Sequence, residues 1–180
     1  MDCEEKKISS ELLYSGRILE LYKDKVQLPN GETSDREYVH HNGGASVLAK
    51  DEDNNIYLVE QYRYPYHTMT LEIPAGKLNK GEDAKECAVR ELKEEVGLTA
   101  LEMEDWGIIY PTPAYTDEPL HIFYTDQFEC GDSQLDDNEF LNVRKVSIDR
   151  AVEMVEVGII RDSKTVVAIL RLALRIEENR

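Results

Sequence analysis

Short alternating runs of hydrophobic and polar residues open the chain, and they predict an antiparallel sheet. The runs around Leu12, Tyr22 and Val26 have the spacing of strands, and a Pro-Asn-Gly turn at 29–31 leads into a further strand at 33–40. The charged residues before them are expected to lack regular structure. A sheet this small buries little surface by itself, so it should pack on its own domain or on another subunit.

After residue 42 the pattern changes to buried-looking strands with a few helices between them. Strands are predicted at 45–49, 56–61, 69–73, 101–109, 120–125 and 139–146. Helices are predicted at 84–96 and 148–157, and a last helix is predicted after Ser163 and up to about 178. Ser147 and Ser163 are the predicted caps of the last two helices. Hairpin connections around one strand–loop–helix segment favour α/β or α+β layers, with helices on both sides of a mixed sheet. The predicted organisation is an N-terminal sheet over 1–42 and a larger domain over 43–180.

The helix predicted at 84–96 has an unusual distribution of acids. Asp83, with Glu86 three residues later, favours its start, and Gly97 favours its end. At about 100° per residue, three acids lie beside the apolar stripe rather than opposite it. They are Glu91, Glu94 and Glu95. Like charges at these spacings repel by roughly 0.2–0.5 kcal/mol per pair, so a cation should offset them.

Two kinds of cation are available to this acidic cluster. Arg90 is spaced to reach Glu86 and Glu94, one turn away on either side. A hard divalent cation such as Mg²⁺ suits the remaining carboxylate oxygens. The alternative is a solvated acidic helix that is held together by ion pairs within the helix.

Fixed spacing joins this cluster to the loop before it. Gly76 is followed after five residues by Glu82, and after seven more by Arg-Glu-Leu-Lys-Glu-Glu-Val-Gly-Leu at 90–98. This stretch resembles, at every specified position, the signature of the Nudix hydrolases, which cleave nucleoside diphosphates linked to another moiety. The resemblance implies the Nudix α/β/α sandwich and a loop–helix–loop that binds Mg²⁺ or Mn²⁺. The implied ligands are the carboxylates of Glu91, Glu94 and Glu95 and the backbone carbonyl of Ala75.

Other residues of the signature have supporting roles in the family that it resembles. The resemblance implies that Arg90 orients the glutamates. It leaves two roles open for Glu82, which either binds metal through a water molecule or stabilises the loop.

Four features outside the signature resemble the ADP-ribose pyrophosphatase branch of the family, and one of them, Arg-Asp-Ser-Lys-Thr at 161–165, is expected to be structural. Gln-Tyr-Arg-Tyr-Pro at 61–65 is another, and its Arg63 precedes the metal loop, where a guanidinium suits a diphosphate. Pro113, sixteen residues after Gly97, is a third, although Ala114 stands where the branch usually has glycine. The fourth is the N-terminal sheet, which in that branch is commonly exchanged within a homodimer.

The remaining candidates concern the attacking water and the substrate. Glu139 is the best counterpart of a glutamate that approaches the water in related enzymes, although acids of such loops are often only solvated. Arg36 is a candidate to hold phosphate or base. Tyr115 or Tyr38 could stack on adenine, and the alternative for each is packing in the core or on the surface.

Composition and charge narrow the possible partners. The 180 residues include 37 acids and 21 bases, for a net charge of −16, which opposes binding to nucleic acid and to anionic membranes. A small phosphorylated substrate stays possible because bound Mg²⁺ and local arginines can reverse the field in one cleft. The three cysteines lack metal-ligand spacing, so reduced thiols are expected. No apolar run approaches the ~20 residues of a membrane helix, and a cytoplasmic location is expected.

These observations together favour Mg²⁺-dependent hydrolysis of ADP-ribose to AMP and ribose 5-phosphate. The signature equally allows another nucleoside diphosphate sugar or a dinucleotide as substrate. A protein of a different class, which senses ADP-ribose without cleaving it, is the remaining alternative.

Overall fold

The computed structural model describes residues 3–135 and 140–178, which form two compact units. One unit, here the N-terminal unit, joins the described residues up to Gly43 with Tyr110–Pro119. The other, here the larger unit, joins Gly44–Ile109 with the described residues from Leu120 onward.

The N-terminal unit is built on antiparallel strands in the order β1 (Lys6–Ser15), β2 (Glu20–Gln27) and β3 (Thr33–His40). The turn between β2 and β3 closes with a hydrogen bond from the Leu28 amide to the Glu32 carbonyl, and Gly31 has a φ of +89° there. The expectation of irregular structure before about Ser10 is wrong. Lys6 already pairs with Gln27, because the backbone ladder with β2 needs no hydrophobic alternation.

The segment Tyr110–Pro119 adds to this unit through β3. Val39 forms a parallel bridge with Thr116, and its amide donates to the Tyr115 carbonyl at 2.9 Å. The Asp117 carboxylate lies 2.6 Å from His40 Nδ1 and accepts a hydrogen bond from the His41 amide at 3.0 Å. Backbone and side-chain contacts therefore both attach the segment to the end of β3.

The strands of the larger unit form a mixed sheet and two antiparallel sheets. They are β4 (Gly44–Ala49), β5 (Asn55–Arg63), β6 (Thr68–Glu72), β7 (Ala75–Lys77), β8 (Leu98–Ala100), β9 (Glu104–Ile109), β10 (Leu120–Thr125), β11 (Phe128–Cys130) and β12 (Leu141–Ser147). The mixed sheet has the order β7-β4-β10-β9, in which β4 and β10 are parallel. Strands β12-β5-β6 and β11-β8 form the antiparallel sheets.

The helices of the larger unit are α1 (Ala84–Glu91), α2 (Ile148–Glu156) and α3 (Ser163–Glu178). Ser147 caps α2 as predicted, with its hydroxyl accepting from the Arg150 amide. The predicted cap of α3 is wrong by one residue. Asp162 makes this contact instead, accepting from the Thr165 amide at 3.1 Å. An ionised carboxylate at a helix start is also favoured by the helix dipole.

Successive residues of the central strands point into two different cores, which confirms the predicted α/β/α layers. Leu48 of β4 and Ile122 of β10 join the core that contains α2 and α3. Val47 and Phe123, their neighbours in sequence, join the core that contains α1. Strand periodicity explains this division, because alternate side chains leave opposite faces of a sheet. Among the described residues, no helix has the length and apolar character needed to span a membrane.

Candidate active site

One strand–loop–helix segment carries the acidic cluster that the sequence predicts. Asp83 caps α1, accepting from the amides of Lys85 and Glu86, and Gly97 ends the helix with a φ of +76°. The helix predicted at 84–96 is therefore confirmed, with one difference. Its last turn, Leu92–Val96, is a π-helix, a wider turn that often occurs at functional sites.

Arg90 forms ion pairs with three of the glutamates in this region. Its Nε lies 3.0 Å from Glu82, and its Nη1 lies 2.6 Å from Glu91 and 2.9 Å from Glu94. The predicted contact with Glu94 is confirmed, whereas the predicted contact with Glu86 is wrong, because the guanidinium turns toward the loop that carries Glu82. Burial alone would lower the pKa of Arg90, but the hydrogen bonds that Arg90 donates to these carboxylates outweigh burial and hold the pKa well above its usual value.

Backbone groups of the preceding loop meet the two buried glutamates. The Ala75 amide donates to Glu95 Oε2 at 3.0 Å. Glu91 lies directly against Gly76, where a Cβ would stand 1.7 Å from Glu91 Oε1. Glycine is therefore needed at position 76 for steric reasons, because any side chain would occupy the place of this carboxylate.

The donor chemistry of this cluster fits a hard divalent cation. Glu95 meets Ala75, Glu91 meets Gly76, and Glu94 lies within reach of the same Arg90 as Glu91. All three side chains carry the oxygen donors that Mg²⁺ prefers. Within residues 3–135 and 140–178, no group of three or more His, Cys, Asp or Glu side chains has the arrangement of a formed metal site. Arg90 instead draws two of the proposed ligands toward its own guanidinium.

Glu82 has contacts that match loop stabilisation, one of its two expected roles. It accepts a hydrogen bond from the Asn79 amide at 2.8 Å, which closes the turn, and it is paired with Arg90. The hydrogen bond from Arg90 is the main reason why the pKa of Glu82 lies below its usual value.

Arg63 is already engaged with a protein carboxylate that the sequence analysis did not single out. Its Nε and Nη2 donate to Glu72 at 2.7 and 2.6 Å. In the described part of the chain Nη1 makes no hydrogen bond, and 40% of the side chain is exposed. One edge of the guanidinium is therefore committed to Glu72, while Nη1 is left to meet a substrate phosphate. That role for Arg63 stays a prediction.

Glu72 is the most buried acid of this region, with 2% of its surface exposed. It also accepts from Thr70 at 2.6 Å and from Lys164 at 2.5 Å. Burial alone would raise its pKa, but hydrogen bonds from Arg63 and the charge of Lys164 prevail and lower the pKa to about 2. An acid inside the apolar run Leu71-Glu72-Ile73 was the available sequence signal for this site.

The proposed substrate residues of the N-terminal unit have local partners. Arg36 forms a bidentate ion pair with Glu5, and Tyr38 stacks on Tyr22 with ring centroids 5.5 Å apart. Pro113 and Tyr115 are exposed on the segment that β3 holds. Their contact with substrate remains a prediction. Glu139, the predicted base, lies outside the described residues.

Comparisons with known proteins agree with this geometry. Residues 40–166 match the family description "NUDIX domain", and residues 5–39 match "Nucleoside diphosphate sugar hydrolase N-terminal domain". A Bacillus subtilis protein named ADP-ribose pyrophosphatase is 40% identical, over 96% of this chain and 94% of that protein. A Bacillus methanolicus protein named Methanol dehydrogenase activator is 42% identical, with the same two shares covered.

A solved structure described as "Crystal structure of ADP compounds hydrolase" has the same fold. It superposes with a TM-score of 0.84, over 98% of this chain and 96% of that chain, at 19% sequence identity. The loop–helix cluster and these matches lead to one assignment. The chain belongs to the Nudix hydrolase family.

Proposed function

We propose that the protein hydrolyses the diphosphate linkage of ADP-ribose to give AMP and ribose 5-phosphate. The observation that carries this proposal is that Glu91 and Glu95 meet Gly76 and Ala75, while Glu94 shares the counter-ion Arg90 with Glu91. The choice of ADP-ribose is supported by the names of relatives, which include the proteins of Bacillus subtilis, Mycobacterium tuberculosis and Escherichia coli.

The enzyme would require a divalent cation, Mg²⁺ by preference and Mn²⁺ as a substitute. The Ala75 carbonyl and the carboxylates of Glu91, Glu94 and Glu95 would hold it. When bound, such a cation neutralises the diphosphate and lowers the pKa of a coordinated water.

The side chains of this chain have separate tasks in the proposed reaction. Arg90 orients Glu91 and Glu94, and Arg63 presents Nη1 to a phosphate oxygen. The water oxygen forms the new bond to phosphorus as the bond from phosphorus to the bridging oxygen breaks. Glu139 accepts the proton of the attacking water. Proton transfer at this point matches the general-base role that the family resemblance implies.

We propose further substrate contacts for residues that the sequence analysis singled out. Arg36 holds phosphate or base, Tyr38 or Tyr115 stacks on adenine, and Pro113 shapes the segment that carries Tyr115. Each of these side chains can be removed singly, and each removal should raise KM more than it lowers kcat.

We further propose that the protein acts as a homodimer through its N-terminal sheet. Every residue of β1 is exposed, and the strand lies at the edge of its sheet. Its large apolar side chains, Ile8, Leu12, Leu13 and Tyr14, are each about half exposed. A second chain would cover such an edge. Removing residues 1–40 should then abolish both dimerisation and turnover, and a fully active monomer would contradict the exchange of this sheet.

The test of the reaction is a substrate panel with the native protein, Glu95→Gln and Glu86→Gln. Alkaline phosphatase releases phosphate from AMP and ribose 5-phosphate but not from intact ADP-ribose, so phosphate reports cleavage. Cleavage of ADP-ribose should require Mg²⁺, be lost in Glu95→Gln and persist in Glu86→Gln, whose side chain is exposed. Faster cleavage of another nucleotide sugar or of a dinucleotide would assign that compound as the substrate in place of ADP-ribose. Tight binding of ADP-ribose without any cleavage would favour a sensor.

A further inference from the structure

A buried lysine at the start of α3 has no task in the reaction as described. Lys164 is only 6% exposed, although lysine is almost never buried without a partner. Its Nζ lies 2.5 Å from Glu72 Oε2 and 2.9 Å from Asp162 Oδ2. Burying an ammonium group costs free energy, so the presence of Lys164 at this place calls for an explanation beyond stability.

The next residue of α3 contacts the next residue of the strand end. Thr165 is fully buried, and its hydroxyl accepts a hydrogen bond from the Ile73 amide at 2.8 Å. The same hydroxyl donates to Asp162 Oδ2 at 2.6 Å, which fixes its orientation. Consecutive residues of α3, Lys164 and Thr165, therefore hold the consecutive residues Glu72 and Ile73.

Glu72 and Ile73, the two residues held by α3, lead directly into the part of the candidate site that contains Ala75 and Gly76. The Pro74 carbonyl accepts from the Val47 amide at 3.0 Å, the Ala75 amide donates to Glu95, and Gly76 lies against Glu91. Only Ile73 and Pro74 lie between Glu72 and Ala75, and this short segment can span at most about 11 Å. The position of Ile73 therefore limits where the Ala75 backbone can lie.

We propose that Lys164 and Thr165 are positioning residues for the proposed metal site, which they control by fixing the segment Glu72–Gly76 against the start of α3. The inference rests on the proposed function, because it assumes that the Ala75 carbonyl and the neighbouring glutamates bind a divalent cation. Neither residue touches the cation or the substrate. Both act through the backbone that leads to Ala75.

Glu72 also connects Lys164 to Arg63. Glu72 receives Arg63 Nε and Nη2 on one side and Lys164 Nζ on the other, so its charge is shared between two cations. Loss of Lys164 leaves Arg63 as the cationic partner of Glu72, beside the hydroxyl of Thr70. That change ties the guanidinium more firmly to the protein and makes it a poorer partner for a substrate phosphate.

The first test compares two substitutions at one position. Thr165→Val keeps the shape of the side chain but removes the hydroxyl, whereas Thr165→Ser keeps the hydroxyl. Mn²⁺ binding, followed by electron paramagnetic resonance without substrate, is the readout. Thr165→Val should weaken Mn²⁺ binding about tenfold, the lower end of what loss of a supporting hydrogen bond causes at metal sites, and Thr165→Ser should restore it to within about twofold of native.

Lys164→Met tests the connection from Lys164 through Glu72 to Arg63. It also keeps the inference testable if Thr165→Val does not fold. This variant should weaken Mn²⁺ binding and also raise the KM for ADP-ribose several-fold more than it lowers kcat. A matched control is Ser147→Ala, which removes the cap of α2. Ser147 pairs with Asn55, at the opposite end of β5 from Arg63. It should lower the melting temperature without weakening Mn²⁺ binding.

The outcomes separate this inference from the proposed function. Native-like Mn²⁺ binding and native KM in both Thr165→Val and Lys164→Met, with turnover intact in the unaltered protein, would overturn the positioning role alone. An unaltered protein that neither binds Mn²⁺ nor cleaves ADP-ribose would overturn the proposed function, and the positioning role with it.

Discussion

The carboxylate of Glu91 occupies the space that a side chain at Gly76 would need, since a Cβ there would stand 1.7 Å from Glu91 Oε1. Gly76→Ala should therefore displace Glu91, which also holds Arg90 at 2.6 Å. We expect kcat for ADP-ribose and Mn²⁺ affinity each to fall about 10- to 100-fold, the range seen when ligand orientation is lost. Steady-state kinetics and Mn²⁺ titration measure the two effects.

Gly131→Ala is the matched control for this substitution. Among the described residues, its Cβ would meet the Gly97 carbonyl alone, at an ordinary distance of 3.6 Å. Activity should stay within about twofold of native. Equal losses in both glycine variants would show that the contact between Gly76 and Glu91 is not the cause.

Arg90→Gln should destabilise the metal-free protein, and a divalent cation should restore part of the loss. The substitution leaves Glu82, Glu91 and Glu94 without their shared counter-ion. Because the cluster is only partly buried, we expect the free energy of unfolding in EDTA to fall by roughly 2–3 kcal/mol, less than for a fully buried pair. Urea unfolding with and without Mg²⁺ measures both effects.

The control for this experiment is Arg150→Gln, which removes an exposed ion pair with Glu153. Such pairs contribute about 0–1 kcal/mol, and no response to Mg²⁺ is expected. If the two variants lost the same free energy of unfolding and neither responded to Mg²⁺, Arg90 would not be needed to offset repulsion among the glutamates.

Stability should fall in acid because Glu72 is ionised in the folded protein down to low pH. Its pKa is lowered from 4.5 to about 2, so its contribution is complete above about pH 4.5 and is lost as the pH falls toward about 2. This shift corresponds to about 3 kcal/mol. The difference in unfolding free energy between native protein and Glu72→Gln should therefore shrink as the pH falls from 6 to 3. A constant difference over that range would contradict a lowered pKa of Glu72 in the folded protein.

The local elements near the site could be predicted from neighbouring residues. Asp83 and Gly97 fix the two ends of the helix through contacts within a few residues, and the apolar alternation of β4 and β10 fixes the layers. The π-helical turn at Leu92–Val96 was not predicted, because its residues also suit an ordinary helix.

Contacts between residues distant in sequence explain what the sequence could not provide. Lys164 meets Glu72 across 92 residues, and Asp117 meets His40 across 77. The sequence around each residue does not identify its distant partner, although the apolar neighbours of Glu72 indicate that it is buried. Arg63 was therefore predicted as a phosphate ligand without its partner Glu72, and Tyr110–Pro119 was assigned to the larger domain although it packs on β3.

Asp117→Asn should loosen the segment Tyr110–Pro119 from β3, because the charge opposite His40 is lost at a separation of 2.6 Å. Since this segment carries Pro113 and Tyr115, we expect the KM for ADP-ribose to rise several-fold while kcat changes less than about twofold. Steady-state kinetics measures the two constants. Asp149→Asn, at an exposed position of α2, is the control with the same change of charge. Unchanged KM in Asp117→Asn would exclude a role of the contact between Asp117 and His40 in binding substrate.

Identification of the products formed from ADP-ribose tests the central claim most directly. The purified protein would be incubated with ADP-ribose and Mg²⁺ in ¹⁸O-labelled water, and the products separated and weighed by mass spectrometry. The account predicts AMP and ribose 5-phosphate in equal amounts, with one ¹⁸O atom in one of them and no products in EDTA. ADP-ribose recovered intact and unlabelled with Mg²⁺ present would contradict the account.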